Sequence, residues 1–318
     1  MKTFLLLLIS SLTLWANAHI FVYHRFGDNR YPSTNTSIKD LKNQFDFFNK
    51  NGYKVITLNK LINALKNKET IPEKWVVLTI DDNFKSFYKN GLKVFKEYGY
   101  PFSMFVYVEA TQKGYKDYLS WKELKEISRY GSLEFHSYGH GHMSKMSTSD
   151  LKKDFEIGLK VFREKLGIKP KYFSYPYGEY TKRVKEIAKS YGFDAILNQN
   201  MGAIASFSDI YDLDRSALVG KSNLDYFLKI KALDAKWISP KSYPEDGVLK
   251  FLQVKTDQNS KYGYYYISGF GSSRVELNNG EIKLNLNKKL KKFRTRVIIS
   301  IGNKMSTKLL MKDEYGTK

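Results

Sequence analysis

The chain has no cysteine in its 318 residues. Disulfides and thiolate metal sites are therefore excluded, and so is a lipid-modified cysteine behind the N-terminal apolar run. Histidine is scarce: there are five, at 19, 24, 136, 140 and 142, and none later. Acidic residues are in deficit, 32 against 53 Lys and Arg, for a formal charge of +21. Past the N-terminal run no stretch reads as a membrane span, and no nucleic-acid recognition motif is present.

What is there begins with an export pattern. Lys2 precedes an apolar core running from Phe4 through Ile9 to Trp15, followed by Ala16-Asn17-Ala18. A short basic region, a short apolar core and an A-x-A site read as a secretory signal peptide over residues 1–18. An uncleaved anchor is the alternative, and the core is short for one. The expected location is periplasmic, extracellular or at the cell surface, with no integral span after cleavage and no nucleic-acid partner. The positive charge is spread along the chain and reads as a Lys-heavy solvated surface. A field that attracts an anionic cell-envelope surface is the second reading.

The chain is organised around Val76-Val77-Leu78-Thr79-Ile80, which ends in Asp81-Asp82-Asn83. The β-branched apolar run predicts a strand buried on both faces, as in a parallel sheet covered by helices. Two carboxylates at its end are costly unless a cation or a reaction uses them. Adjacent residues leaving a strand point in different directions, so the two can do different work. A strand end followed by a helix-capping Asp is the plainer alternative. A second strand, Leu133-Glu134-Phe135, runs into His136-Ser137-Tyr138-Gly139-His140-Gly141-His142, which gathers three of the five histidines in seven positions. Imidazoles with a carboxylate are the ligand set of a catalytic zinc-type site.

These residues resemble the polysaccharide deacetylases of the NodB-homology type, carbohydrate esterase family 4. The family's Thr-Phe-Asp-Asp-Gly is matched by Thr79-Ile80-Asp81-Asp82-Asn83, its His-(Ser/Thr)-x-x-His by His136 to His140, and its Arg-x-Pro-Tyr-Gly by Ser174-Tyr175-Pro176-Tyr177-Gly178. The resemblance spans roughly residues 19 to 235, and the three motifs keep the family's order and spacing. It implies one divalent metal, with zinc expected, on Asp82, His136 and His140. It implies Asp81 as general base and the backbone N–H of Tyr177 as oxyanion donor, against a plain turn aromatic beside Pro176. Expected substrate contacts are Tyr175, Pro176, Trp121 and Arg215.

Three departures stand out. Ser174 occupies the position of the motif Arg that supports the base; Arg215, in Asp212-Leu213-Asp214-Arg215, is either its substitute or a surface ion pair. Asn83 replaces the motif Gly, and Asn tolerates left-handed backbone. The family's late histidine acid is missing. The start Tyr23-His24-Arg25-Phe26 and the run Phe173 to Tyr180 resemble the branch acting on poly-β-1,6-N-acetylglucosamine, where an N-terminal His takes that role. His24 is thereby assigned as general acid, against a structural hydrogen bond in the first strand. His142 is expected beside the ligands rather than among them.

Strand and helix patterns alternate to about residue 198, predicting a parallel (β/α) barrel, distorted or incomplete. His24, Asp81, Asp82, His136 and Tyr177 all fall just past the C-terminal ends of predicted strands, the rim where such barrels hold their chemistry. After Pro240 the texture becomes β-rich, with the turn signals Asn278-Asn279-Gly280 and Gly302-Asn303. The expected division is 19–238 for the barrel and 239–318 for a small antiparallel, immunoglobulin-like sandwich. Tyr262, Tyr264, Tyr265, Tyr266 and Phe270 read as a sugar-stacking platform or as core and ordinary strand surface. The expected function is a metal-dependent N-deacetylase acting on an N-acetylglucosamine-containing polysaccharide. The alternatives are an O-acetyl glycan esterase or peptidoglycan deacetylase with the same site, and a non-catalytic glycan-binding protein.

Overall fold

A computed structural model describes residues 17–220 and 222–316. The expected signal peptide lies outside the described residues except for Asn17 and Ala18, and Ala18 forms a β-bridge with Ile204. Strand β1 (His19–Tyr23) is followed by a short parallel pair, β2 (Arg25–Phe26) and β3 (Asn35–Thr36). Strands β4 (Lys54–Val55), β5 (Trp75–Asp81), β6 (Ser103–Val106), β7 (Ser132–Phe135), β8 (Tyr172–Ser174), β9 (Ala195–Leu197) and β10 (Ser216–Ala217) then join β1 in one sheet. Its order is β10-β1-β5-β6-β7-β8-β9, with β4 also on β5, and the named pairings are parallel.

The barrel is incomplete in an instructive way. Leu213 bridges to Leu197 of β9, and Ser216, three residues on, pairs with Phe21 of β1. One irregular segment thus spans the gap where a regular strand would close the sheet. Arg215 rides on that segment.

The helices begin and end where side chains satisfy orphan backbone groups. Ser37 caps α1 (Ile38–Lys50) and Thr57 caps α2 (Leu58–Lys66). The helix after β5 opens as a π-turn, Phe87–Gly91, before α3 (Leu92–Tyr98). The cause is close packing: a Cβ on Gly91 would lie 2.9 Å from the Phe26 ring, and Asn90 Nδ2 donates to the Phe26 carbonyl at 2.7 Å. The widened turn therefore grips β2, the strand just after His24. Short α4 (Val108–Gln112) follows β6, and α5 (Trp121–Ile127) opens on a Ser120/Glu123 capping box. Helices α6 (Thr148–Leu166) and α7 (Lys182–Ser190) follow, and α6 ends on left-handed Gly167.

Both faces of the sheet are buried, as the apolar run in β5 requires. Val76, Leu78 and Ile80 pack into a large cluster with Phe45, Phe95 and Phe135, whereas Val77 joins Ile20, Leu197 and Leu213 on the other face. Period-two alternation puts Thr79 and Asp81 on the Val77 side. That side is polar near the strand ends.

After α8 (Leu224–Lys229), strands β11 (Lys231–Ala232) and β12 (Ala235–Ser239) already belong to the C-terminal sheets, somewhat before Pro240. They are followed by β13 (Val248–Thr256), β14 (Tyr262–Ile267), β15 (Gly271–Glu276), β16 (Glu281–Lys289), β17 (Arg294–Ile301) and β18 (Lys304–Met311). A five-stranded sheet, β11-β18-β17-β14-β15, faces a three-stranded one, β12-β13-β16, across one apolar core. Asn279 and Gly280 are both left-handed, the conformation a tight hairpin needs. Tyr265 packs against the core, while Tyr264 and Tyr266 are exposed. The sandwich is tied to the barrel: Arg183 Nη2 pairs with Asp313 at 2.7 Å, and Thr181 donates to the same carboxylate at 2.6 Å. No helix among the described residues is long and apolar enough to cross a membrane.

One contact beneath the site tests the packing. Gly158 of α6 lies against Phe135, the residue before His136; a Cβ there would sit 2.6 Å from the ring. Gly158→Ala should cost about 1–3 kcal/mol by overpacking, more than alanine's helix preference returns. Urea unfolding measures it, and a stabilised variant would show the contact to be looser than described.

Candidate active site

The strand ends deliver the chemistry. His24 follows β1, Asp81 ends β5, His136 follows β7, and Tyr177 lies three residues past β8. Asp81 keeps the strand's alternation and points among buried groups. Asp82 breaks it with φ 70°. The two neighbouring carboxylates therefore diverge, and Asp82 Oδ1 reaches 2.9 Å from His140 Nε2 and 3.3 Å from His136 Nε2. The imidazole Nε2 atoms are 3.2 Å apart.

The histidine loop is shaped by its own motif. Ser137 and His140 are left-handed, at φ 71° and 50°. The Ser137 hydroxyl accepts the His140 N–H at 2.8 Å, and the Asp154 carboxylate of α6 accepts the N–H groups of Tyr138 and Gly139 at 2.9 and 2.7 Å. Asn83, left-handed at φ 40°, stands in for the motif glycine. Its side chain accepts the Tyr107 N–H and donates to Thr111, so it also anchors the loop after β6.

Asp82, His136 and His140 fit a small divalent cation. His136 Nδ1 lies 2.7 Å from the Ser174 carbonyl, to which only an N–H can donate. That bond leaves the Nε2 lone pair facing Asp82 and His140. Asp82 Oδ1 is buried and accepts no hydrogen bond despite its two close imidazole neighbours. Three electron-rich atoms converge within 4.8 Å of one another. Tetrahedral bonds of about 2.0–2.2 Å would place ligand atoms about 3.3–3.6 Å apart, close to the spacing seen. Burial would raise the Asp82 carboxyl; the two imidazoles, where they carry protons, hold it well below the ordinary range, and a divalent cation in their place would do the same.

Arg215 is wholly buried. Its Nη1 donates to Asp81 Oδ1 at 2.8 Å and its Nη2 to Oδ2 at 2.7 Å. The remaining donors go to Thr79 Oγ1, Ser174 Oγ and the Asn198 carbonyl, at 3.1, 2.6 and 2.7 Å. Ser174 Oγ donates in turn to Asp81 Oδ2 at 3.2 Å. Burial alone would raise the Asp81 carboxyl; Arg215, helped by His136, reverses the shift and holds it below the usual value. The guanidinium against Asp81 thus comes from position 215, with Ser174 at the motif position hydrogen-bonded to both.

Two expectations are corrected. Arg215 is neither a surface ion pair nor a substrate contact, because its five donors are spent inside the protein. Tyr175 and Pro176 are buried, with the Tyr175 ring stacked on Tyr180, so neither presents a surface to a polymer. Trp121 is half-buried at the start of α5, its indole N–H donating to Gln112 at 3.2 Å. His142 lies beside the ligands, its Nδ1 2.7 Å from Glu179 Oε2. Tyr177 is exposed and left-handed, with its ring against both His140 and His142. His24 Nδ1 is buried without a hydrogen-bond partner, and its Nε2 is 3.5 Å from Gln199 Nε2. Burial lowers the His24 pKa; the charges of Asp82 and Asp81 act against this, and those of Arg215 and His136 with it.

Residues 68–196 match the family model described as polysaccharide deacetylase. This stretch is similar to a polysaccharide deacetylase domain. YxkH of Bacillus subtilis (strain 168) is 23% identical over 201 residues, 63% of this chain and 71% of that protein. The poly-beta-1,6-N-acetyl-D-glucosamine N-deacetylase of Escherichia coli (strain K12) is 24% identical over 242 residues, 63% of this chain but only 36% of that protein. Among solved structures, the Streptococcus pyogenes deacetylase PplD in complex with acetate superposes with a TM-score of 0.60 at 20% identity, covering 65% of this chain and 94% of that one. That likeness concerns the fold alone, and the incomplete parallel barrel agrees with it.

Two substitutions test the division between the carboxylates. Asp82→Asn and His136→Ala should each lower bound metal measured by elemental analysis, whereas Asp81→Asn should retain it; equal retention in all three would dismiss the trio. Arg215→Met leaves Asp81 buried and unpaired and should cost about 3–5 kcal/mol in denaturant unfolding. A change below about 1 kcal/mol would mean that Asp81 simply becomes protonated.

Proposed function

We propose that the chain is an exported, metal-dependent N-deacetylase that removes acetyl groups from an N-acetylglucosamine-containing cell-surface or cell-wall polysaccharide. The observation that carries this reading is the Asp82–His136–His140 cluster with a second carboxylate, Asp81, held ionised by Arg215 directly beside it. The N-terminal export pattern supports a polymer outside the cytoplasm. The E. coli relative's name supports the substrate class, and the acetate held by PplD supports the product.

Zinc suits the N,N,O donor set. A divalent ion held there supplies Lewis acidity to the acetyl carbonyl and to water. The chain's own groups do the rest. Asp81 takes the proton of the attacking water, oriented by Arg215 and Ser174 so that its carboxylate does not rotate away. The turn at Tyr177 offers its backbone N–H to the oxyanion. His24 protonates the leaving amine. No side-chain or backbone group among the described residues bonds its buried Nδ1, which supports the acid reading over a hydrogen bond within the first strand.

The decisive test is acetate release by metal-loaded protein from β-1,6-linked N-acetylglucosamine polymer, peptidoglycan and an O-acetylated glycan. Release from the first supports the reading. Release from the ester alone would make the protein an esterase, and release from none would make it a binding protein.

His24 gives a sharper prediction. Its pKa lies below the ordinary 6.5, so its protonated fraction falls as pH rises through a value on the acid side of 6.5. Wild-type amide hydrolysis should show an alkaline limb there, and His24→Ala should flatten it while lowering the rate by about 10² to 10⁴. An activated ester, whose leaving group needs no proton, should lose far less. Equal losses on both substrates would instead assign His24 to substrate positioning.

A further inference from the structure

The outward face of β17 meets the deacetylase site. Along this strand Thr295, Val297 and Ile299 point into the sandwich core, so Arg294 and Arg296 point out. Arg294 Nη1 donates to the Tyr177 carbonyl at 3.2 Å and to Glu179 Oε1 at 3.1 Å. Glu179, with a side chain only 6% exposed, accepts from His142 Nδ1 at 2.7 Å through its other oxygen. The His142 ring stacks on the Tyr177 ring at 4.4 Å, and the His140 ring meets Tyr177 edge-on at 4.7 Å. Tyr177 is thus held at its carbonyl and at its ring by one closed circuit of contacts.

We propose that Arg294, acting through Glu179 and His142, is a positioning residue for the Tyr177 turn, which makes the C-terminal sandwich a working part of the active site. The proposal deepens the deacetylase reading and rests on it for the role of Tyr177. Tyr177 sits at φ 59°, ψ 6°, a left-handed conformation that an aromatic residue keeps only when its surroundings hold it. An oxyanion donor must be fixed before charge develops, because reorganisation during the reaction cancels the gain. Arg294 supplies that restraint from 117 positions along the chain. Its neighbour on the same face extends the brace. Arg296 donates to Asn200 Oδ1 at 3.1 Å and to the Gln199 carbonyl at 3.2 Å, and Gln199 Nε2 lies 3.5 Å from His24 Nε2. The two braced loops also touch: a Cβ on Gly178 would lie 2.4 Å from Gln199 Cβ. One strand therefore holds the oxyanion turn and the loop beside the proposed acid in register.

The test uses the full-length protein carrying Arg294→Ala, Arg294→Lys and Arg294→Ala/Glu179→Gln. Arg294 is partly exposed, so its loss should leave global unfolding and metal content near wild type. Amide hydrogen exchange of the segment 174–180 should accelerate in Arg294→Ala while the central strands are unchanged. On the polymer that the wild type deacetylates, kcat should fall on the order of tenfold with KM within about twofold, as expected when a charged hydrogen bond that steadies the transition state is lost. Arg294→Lys should restore part of kcat, and Glu179→Gln added to Arg294→Ala should cost little more, because both act through one circuit. Unchanged exchange in 174–180, unchanged kcat, or a loss that tracks a global drop in stability would each overturn the proposal. The exchange measurement needs no substrate. A protein that deacetylates nothing yet shows the loop response would sink the deacetylase reading and leave the brace standing.

Discussion

The site depends on the buried pair of Asp81 and Arg215. Two adjacent carboxylates, Asp81 and Asp82, leave water together at the end of β5. Their mutual repulsion and desolvation would favour protonating one of them. Arg215 keeps Asp81 charged, its fork covering both oxygens at 2.7 and 2.8 Å, while Asp82 is left to the imidazoles and to a cation among them. Burying such a pair is favourable only when every remaining donor and acceptor is satisfied. Here the other guanidinium hydrogens reach Thr79, Ser174 and Asn198, drawn from three separate stretches of the barrel. The ion pair is therefore also a tie between β5, β8 and the segment after β9.

The incomplete barrel explains how an arginine reaches this spot. A regular closing strand would alternate its side chains and leave little room for an inward guanidinium. The irregular stretch from Leu213 to Ser216 bridges β9 and β1 while dropping Arg215 into the interior. Backbone irregularity recurs at the strand ends. Of the nine left-handed non-glycine residues described, Asp82, Asn83, Ser137, His140 and Tyr177 lie at the site. Each turns the chain sharply so that side chains from separate strands converge, and each is held by contacts that make the conformation tolerable.

Much of this was legible in the sequence, and the failures have physical causes. Apolar runs ending in Asp-Asp or in a histidine cluster mark strand ends, because alternation and burial constrain both run and terminus. Ser37 and Ser120 mark helix starts because their hydroxyls must satisfy free N–H groups. Arg215 was visible as a residue but not as a buried one, since nothing local in Asp212-Leu213-Asp214-Arg215 encodes a partner 134 positions away. Arg294 and Arg296 were hidden for the same reason inside an ordinary alternating strand. Tyr175 and Pro176 were misread because a motif records which residues recur together and not which of them face substrate. The π-turn at Phe87 was illegible because it answers to the Phe26 ring packed against Gly91.

Ser174 shows how a departure from a motif can preserve its physics. The family pattern places an arginine there; this chain has a hydroxyl that donates to Asp81 and accepts from Arg215. What a buried carboxylate such as Asp81 requires is a guanidinium charge at a fixed distance, whichever strand supplies it. An arginine at 174 and another at 215 would compete for one buried space and add an uncompensated charge. A small residue at one position is the condition for a large one at the other. The missing motif arginine is thus one half of an exchange, and the intact pairing at Asp81 argues against reading Ser174 as the mark of a decayed site.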